Sequence, residues 1–156
     1  MKSLIYLHGF NSSPQSQKAI LTRDYFTSLA DTSDNGAALS YPLNVEIPSL
    51  PPAPLAAISV VSDLVKSIGI SNVAGFIGSS LGGYYSLYLQ KFYSTSSPII
   101  KTVLINPAIR PYELLQDYLG ENENPYSGER FIVEPSHMED LQSISVGSIA
   151  DPKNTF

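Results

Sequence analysis

Apolar residues first gather in one unbroken run, Leu4, Ile5, Tyr6 and Leu7, bounded by polar residues and by Gly9. A run this short without polar alternation predicts a strand over residues 3–7 that is covered on both faces. The polar stretch from His8 to Pro14 follows, where Ser13 is placed to cap a helix that begins at Pro14. Thr22, Tyr25, Phe26 and Leu29 then recur at i, i+3, i+4 and i+7, predicting one buried helix face. A polar loop over residues 31–36 ends that helix, and residues 38–41 read as a short strand. Five prolines between residues 42 and 54 predict a surface connection. Beyond it, Ile58, Val61, Leu64, Val65 and Ile68 form one helical face, with Gly69 as its stop.

The second half repeats the alternation. Val73 to Ile77 is an apolar run that ends in Gly78-Ser79-Ser80-Leu81-Gly82, after which Leu81, Tyr84, Tyr85, Tyr88 and Phe92 fall at helical spacing. Residues 101–105 predict another strand, closed by Asn106-Pro107. Residues 111–119 predict a short helix between Pro111 and Gly120. Residues 121–130 are polar and turn-rich, 131–133 extended, and 137–141 a helical turn. Strands alternating with helices imply an α/β, three-layer α/β/α fold with a mostly parallel sheet and right-handed crossovers. No repeat or linker interrupts residues 1–156, which read as one domain.

Composition narrows the function. A 43% hydrophobic and 15% charged chain of 156 residues is globular. With no cysteine it has no disulfide, zinc–thiolate site or thiol nucleophile, in keeping with an expected cytoplasmic location. The first apolar run is too short for a signal-peptide core or a membrane span. A net charge of −5 argues against nucleic acid and against an anionic membrane surface, and favours a small neutral substrate.

Gly78-Ser79-Ser80-Leu81-Gly82 fits G-x-S-x-G, the nucleophile elbow of serine hydrolases. A strand that turns at once into a helix strains the middle residue and pushes its side chain outward, so Ser80 is the candidate nucleophile. Glycine flanks it because a Cβ would collide where strand and helix crowd together. The Leu81 N–H, at the new helix's N-terminus, faces the oxyanion that forms when Ser80 attacks an acyl group. The plainer alternative is a Gly-Ser turn in an ordinary strand-turn-helix unit, which the helical spacing after the motif disfavours.

An activated serine needs a base and an orienting acid. His8, in His8-Gly9-Phe10, stands where hydrolases supply backbone amides to the oxyanion hole, so its ring is expected to be structural and the Phe10 N–H to be the second donor. Asp117 and His137 follow Ser80 in the order acid then base, but both fall in helical patterns and read as surface or packing residues. Arg110 is the cation near a strand end, more simply a loop anchor than a carboxylate binder. Glu121, Glu123 and Glu129 read as a solvated loop face. No metal-ligand cluster, P-loop or G-x-G-x-x-G after the first strand appears, so neither metal nor cofactor is implied.

Four blocks, residues 4–14, residues 77–85, Asn106 to Pro111 and Tyr118 to Tyr126, closely resemble the YqiA-like esterases of bacteria, and the similarity runs along nearly the whole chain. The resemblance implies a small α/β-hydrolase without a large lid, cytoplasmic, hydrolysing carboxylic esters or thioesters of short acyl chains. Motif for motif it makes Ser80 the nucleophile, with Phe10 and Leu81 as oxyanion donors. It also places the acid in a Gly-Asp-Glu type turn and the histidine in a Gly-Gly-x-His type segment, and neither stretch occurs here. The expectation is therefore a C-terminally incomplete family member whose last strands are missing, with reduced or absent turnover. Its uncovered sheet edge would favour self-association. The rival expectation is a non-catalytic binding module that keeps the pocket without a triad.

Overall fold

The structure is a computed structural model that describes residues 1–31, 43–95 and 100–156. The strand expected over 38–41, and the loop expected over 31–36 apart from Asp31, lie outside these residues. Four parallel strands form the central sheet in the order β2-β1-β3-β4: β1 (Lys2–Leu7), β2 (Leu43–Glu46), β3 (Val73–Ser79) and β4 (Lys101–Ile105). The helices are α1 (Gln17–Asp31), α2 (Pro54–Ile68), α3 (Leu81–Tyr93), α4 (Pro111–Leu114) and α5 (Pro135–Ser143). A separate antiparallel hairpin joins β5 (Gly120–Glu123) to β6 (Arg130–Val133). The α/β architecture expected from the alternation is thus observed.

Strand alternation divides the core between the two sheet faces. Ile5, Leu7 and Phe76 point to the larger cluster, with Val61 and Val65 of α2, Tyr85 and Leu89 of α3, and Leu141 of α5. Tyr6 and Ile77 point to the smaller one, with Ala19 and Phe26 of α1 and with Val45 and Ile105. At the β4 edge, Phe156 donates its N–H to the Thr102 carbonyl at 2.9 Å and accepts from the Leu104 N–H at 2.8 Å. Buried Gln90 of α3 ties this segment down, accepting from the Thr155 hydroxyl at 3.1 Å and donating to the Ile100 carbonyl at 3.1 Å.

Several expectations need correction. The first helix begins at Gln17, because Ser13 closes a turn instead, its hydroxyl accepting from Gln15 N–H at 3.0 Å and its carbonyl from Ser16 N–H at 3.1 Å. Its buried face is centred on Ala19, while Tyr25 is 59% exposed. The proline-rich connection contains β2, whose backbone pairs with β1 from Lys2 opposite Leu43 onward. Phe92 faces solvent, and Leu89 takes the buried position on α3. The helix expected over 111–119 tightens into a 3-10 turn (Leu115–Tyr118) after one α-helical turn. The polar stretch after Gly120 enters β5 because its backbone finds β6 as a partner. The turn expected at 137–141 is the middle of α5.

Among the described residues no helix is long and apolar enough to cross a membrane. The α5 helix is fastened to α3 by the buried Tyr84 hydroxyl, which donates to the Leu141 carbonyl at 2.6 Å. Tyr84→Phe removes that donor from a buried carbonyl and is expected to lower the unfolding free energy by about 1–3 kcal/mol. Urea titration monitored by circular dichroism checks this as a lowered midpoint at unchanged slope.

Candidate active site

The strand order places the candidate site. The chain leaves β1 towards β2 and leaves β3 towards β4, so the connections diverge between β1 and β3. Ligands in open parallel sheets bind at such a switch point, beyond the strand C-terminal ends. The loop after β1 carries His8, Gly9 and Phe10, and the turn after β3 carries Ser80.

Ser80 has φ 53° and ψ −118°, a backbone conformation that residues other than glycine rarely adopt. Its backbone is held on both sides. The Ser80 N–H donates to the Ile105 carbonyl at 3.0 Å, and the Ser80 carbonyl accepts from Gly83 at 2.9 Å and Ala108 at 3.0 Å. The two flanking glycines are there for space: a Cβ on Gly82 would strike the Leu7 carbonyl, and one on Gly78 would strike Gly82 and Ser86. Gly9 is nearly as constrained, since a Cβ there would sit 3.2 Å from that of Ser80. The crowding leaves the Ser80 side chain exposed, and its hydroxyl has no hydrogen-bond partner among the described residues.

Two cavities meet around Phe10. The larger, about 410 Å³, is lined by His8, Leu50, Leu81, Tyr85, Glu129 and Phe131 among others. The smaller, about 280 Å³, is the one that Ser80 lines, together with Tyr6, Ser79 and Tyr126. Gly9, Phe10 and Ser12 border both. The structure therefore brings Ser80 and Phe10 to one cavity and sets Leu81 on its neighbour. The Phe10 and Leu81 amides donate to no other described residue. The Phe10 ring is gripped edge-on by Tyr118 at 5.1 Å and Phe131 at 5.9 Å between centroids.

Both histidine rings are engaged with backbone, His8 through both nitrogens and His137 through Nδ1. His8 is 4% exposed; its Nε2 accepts from the Leu50 N–H at 3.1 Å and its Nδ1 donates to the Gly9 carbonyl at 3.0 Å. Burial pushes its pKa down, the bond to Gly9 partly offsetting this, so the ring is a neutral brace between two loops. His137 Nδ1 accepts from the Glu134 N–H at 3.3 Å in the capping box of α5. His137 and Asp117 line neither cavity, nor does Arg110, which pairs with Glu113 at 3.1 Å on the surface. Glu121 and Glu123 are exposed on β5, whereas Glu129 reaches the larger cavity. Among the described residues no group of three or more His, Asp or Glu side chains is placed to hold a metal.

Sequence reasoning missed the other walls of the Ser80 cavity. Tyr6 is buried, which raises its phenol pKa against the lowering effect of its hydrogen bond with Ser79. Tyr126 arrives on the β5–β6 turn, folded by Asn124, whose side chain accepts from the Tyr126 N–H at 2.9 Å and donates to the Ser12 carbonyl at 3.0 Å. The Asn-Pro-Tyr-Ser-Gly composition signals that turn. Its landing place has no local signal.

Residues 3–156 match the uncharacterised protein family UPF0227. The chain belongs to that family. The resemblance read from the motif blocks is borne out over almost the whole chain. Among solved structures, this UPF0227 chain is similar to Est1E from Butyrivibrio proteoclasticus, in a structure with ferulic acid bound, at 13% identity and a TM-score of 0.61, covering 97% of this chain and 64% of that one. It is also similar to the esterase domain of a Rhodothermus marinus protein, at 17% identity and a TM-score of 0.54, covering 92% of this chain and 57% of that one. At these identities the likeness is one of fold. The UPF0227 chain spans less than two thirds of the length of either neighbour.

The neutral His8 brace has a pH consequence. The unfolded ring titrates near 6.5 and the folded ring lower, so the unfolded state binds more protons as pH falls below about 6.5. Stability is expected to fall with acidification from there until the folded pKa is reached, and to be level in this respect above it. In His8→Gln this part of the pH dependence is expected to vanish, which urea titrations between pH 5 and 7.5 measure.

Proposed function

We propose that this UPF0227 chain carries the nucleophile and oxyanion half of a serine carboxyl-ester hydrolase. Ser80 Oγ attacks the acyl carbonyl carbon of a short-chain ester or thioester, and the Phe10 and Leu81 amides take the oxyanion. The alcohol or thiol then leaves with a proton, and water cleaves the acyl–Ser80 ester to release the acid. The supporting observation is the strained Ser80 backbone, which presents an unengaged hydroxyl to a cavity beside two unengaged amides. The family membership and the esterase folds of the structural neighbours agree with the reading.

The proton on Ser80 needs an acceptor. The sequence has two histidines and both rings are engaged with backbone away from Ser80. This favours slow acylation and low turnover for the 156-residue chain, and it is also what favours the second reading, a binding module that uses the cavity without chemistry. Without a triad base, rates no more than about 10³–10⁴-fold above the uncatalysed reaction are expected.

A fluorophosphonate probe followed by intact-mass analysis separates the two. Slow stoichiometric labelling that disappears in Ser80→Ala, accompanied by an acylation burst with p-nitrophenyl acetate, is the expected result. No labelling of the unaltered chain at millimolar probe would leave the binding module.

A further inference from the structure

Among the described residues, the Ser80 cavity has one charged residue in its wall, and it is a cation. Lys18 borders the cavity with Ser12, Ser16, Gln17, Ser80 and Tyr126, and among the described residues no aspartate or glutamate does. Lys18 forms no ion pair among the described residues, although the chain as a whole carries a charge of −5. Gln17 and Lys18 are also the first two residues of α1, a 15-residue helix with no acidic residue in its first turn. Of the first-turn amides only Ile20 N–H is taken, by the Ser16 carbonyl at 3.0 Å, so the positive end of α1 with the Gln17 and Lys18 amides lies at the same space. The Ser16 side chain is an independent sign of a ligand: it is only 8% exposed, it lines this cavity, and its hydroxyl has no hydrogen-bond partner among the described residues. The hydroxyl is open to the cavity and free to donate to a bound oxygen.

From this placement we infer that the cavity contains an anion subsite formed by Lys18, Ser16 and the first turn of α1, and that its occupant is a single carboxylate carried by the ester substrate. A small anion suits one ammonium, one hydroxyl and a helix end in about 280 Å³. A multiply charged group would meet the repulsion of a net-acidic chain. The inference rests on the hydrolase reading for the word substrate, but the subsite itself needs only binding. It revises the neutral substrate expected from net charge alone, because the charged side chain lining the Ser80 cavity has the opposite sign to the net charge of the chain.

The experiment compares equilibrium binding of monomethyl glutarate, which carries one carboxylate, with neutral dimethyl glutarate, by NMR titration at neutral pH and low salt. A parallel pair, methoxyacetate and its methyl ester, places the charge at a different distance from the methyl group and shows whether reach matters. The unaltered chain is expected to favour the monoanion by about tenfold. The preference is expected to shrink to twofold or less in Lys18→Gln, to weaken in Ser16→Ala, and to fall with added salt. Lys18 is exposed, so its replacement leaves the fold intact, which circular dichroism verifies. Ser80→Ala is expected to retain the preference while losing probe labelling, so a failure of the hydrolase reading shows in labelling alone. Equal affinities for the charged and neutral ligands, or a preference that survives Lys18→Gln, would overturn the subsite.

Discussion

The close crossing of backbones behind Ser80 is the constraint on which the site depends. The first turn of α3 lies so near the end of β1 that Gly82 faces the Leu7 carbonyl with no room for a side chain. That contact locks the β3–α3 turn to the neighbouring strand, and the hydrogen bonds from Ser80 to Ile105 and Ala108 lock it to the segment around the end of β4. A left-handed serine costs about 1–3 kcal/mol in isolation. It persists because three consecutive sheet segments determine its position together.

The same crowding explains the division of labour in the β1 loop. Gly9 is pressed against Ser80, and Phe10 beside it is gripped by aromatic rings from two later segments. His8 is consumed in holding this loop to Leu50, with burial keeping the ring neutral. A ring that already donates through one nitrogen and accepts through the other has no lone pair left for a serine proton. What the described residues assemble is therefore a strained, exposed serine beside two unengaged amides and a lined cavity, with the His8 ring committed to holding the loop.

The walls of the Ser80 cavity come from distant parts of the chain: β1, the start of α1, the β3–α3 turn and the β5–β6 turn. The hairpin reaches the site through Asn124, which binds both its own turn and the Ser12 carbonyl 112 residues away. This long-range clamp sets Tyr126 over the cavity and is more specific than the hairpin's own exposed ion pair between Glu123 and Arg130.

Sequence alone determined the α/β class, the strands β1, β3 and β4, the helix α2 with its Gly69 stop, and Ser80 as the residue at the turn. These are short-range properties: apolar runs, helical spacing, and glycines at the positions where a sharp strand-to-helix turn has no room for side chains. Where pairing partners lie far away, the local pattern misled. The strand at Leu43–Glu46 was hidden among prolines, and β5 among acidic residues, because each is made a strand by a neighbour's hydrogen bonds and not by its own composition. Tyr25 and Phe92 kept helical spacing but point outward, since the sheet decides which face of a helix is buried. Only the tertiary structure decided that both histidines are engaged elsewhere, and that Lys18, Ser16 and Tyr126 surround Ser80. Those relations join residues tens of positions apart, and their distances are set by how the layers pack.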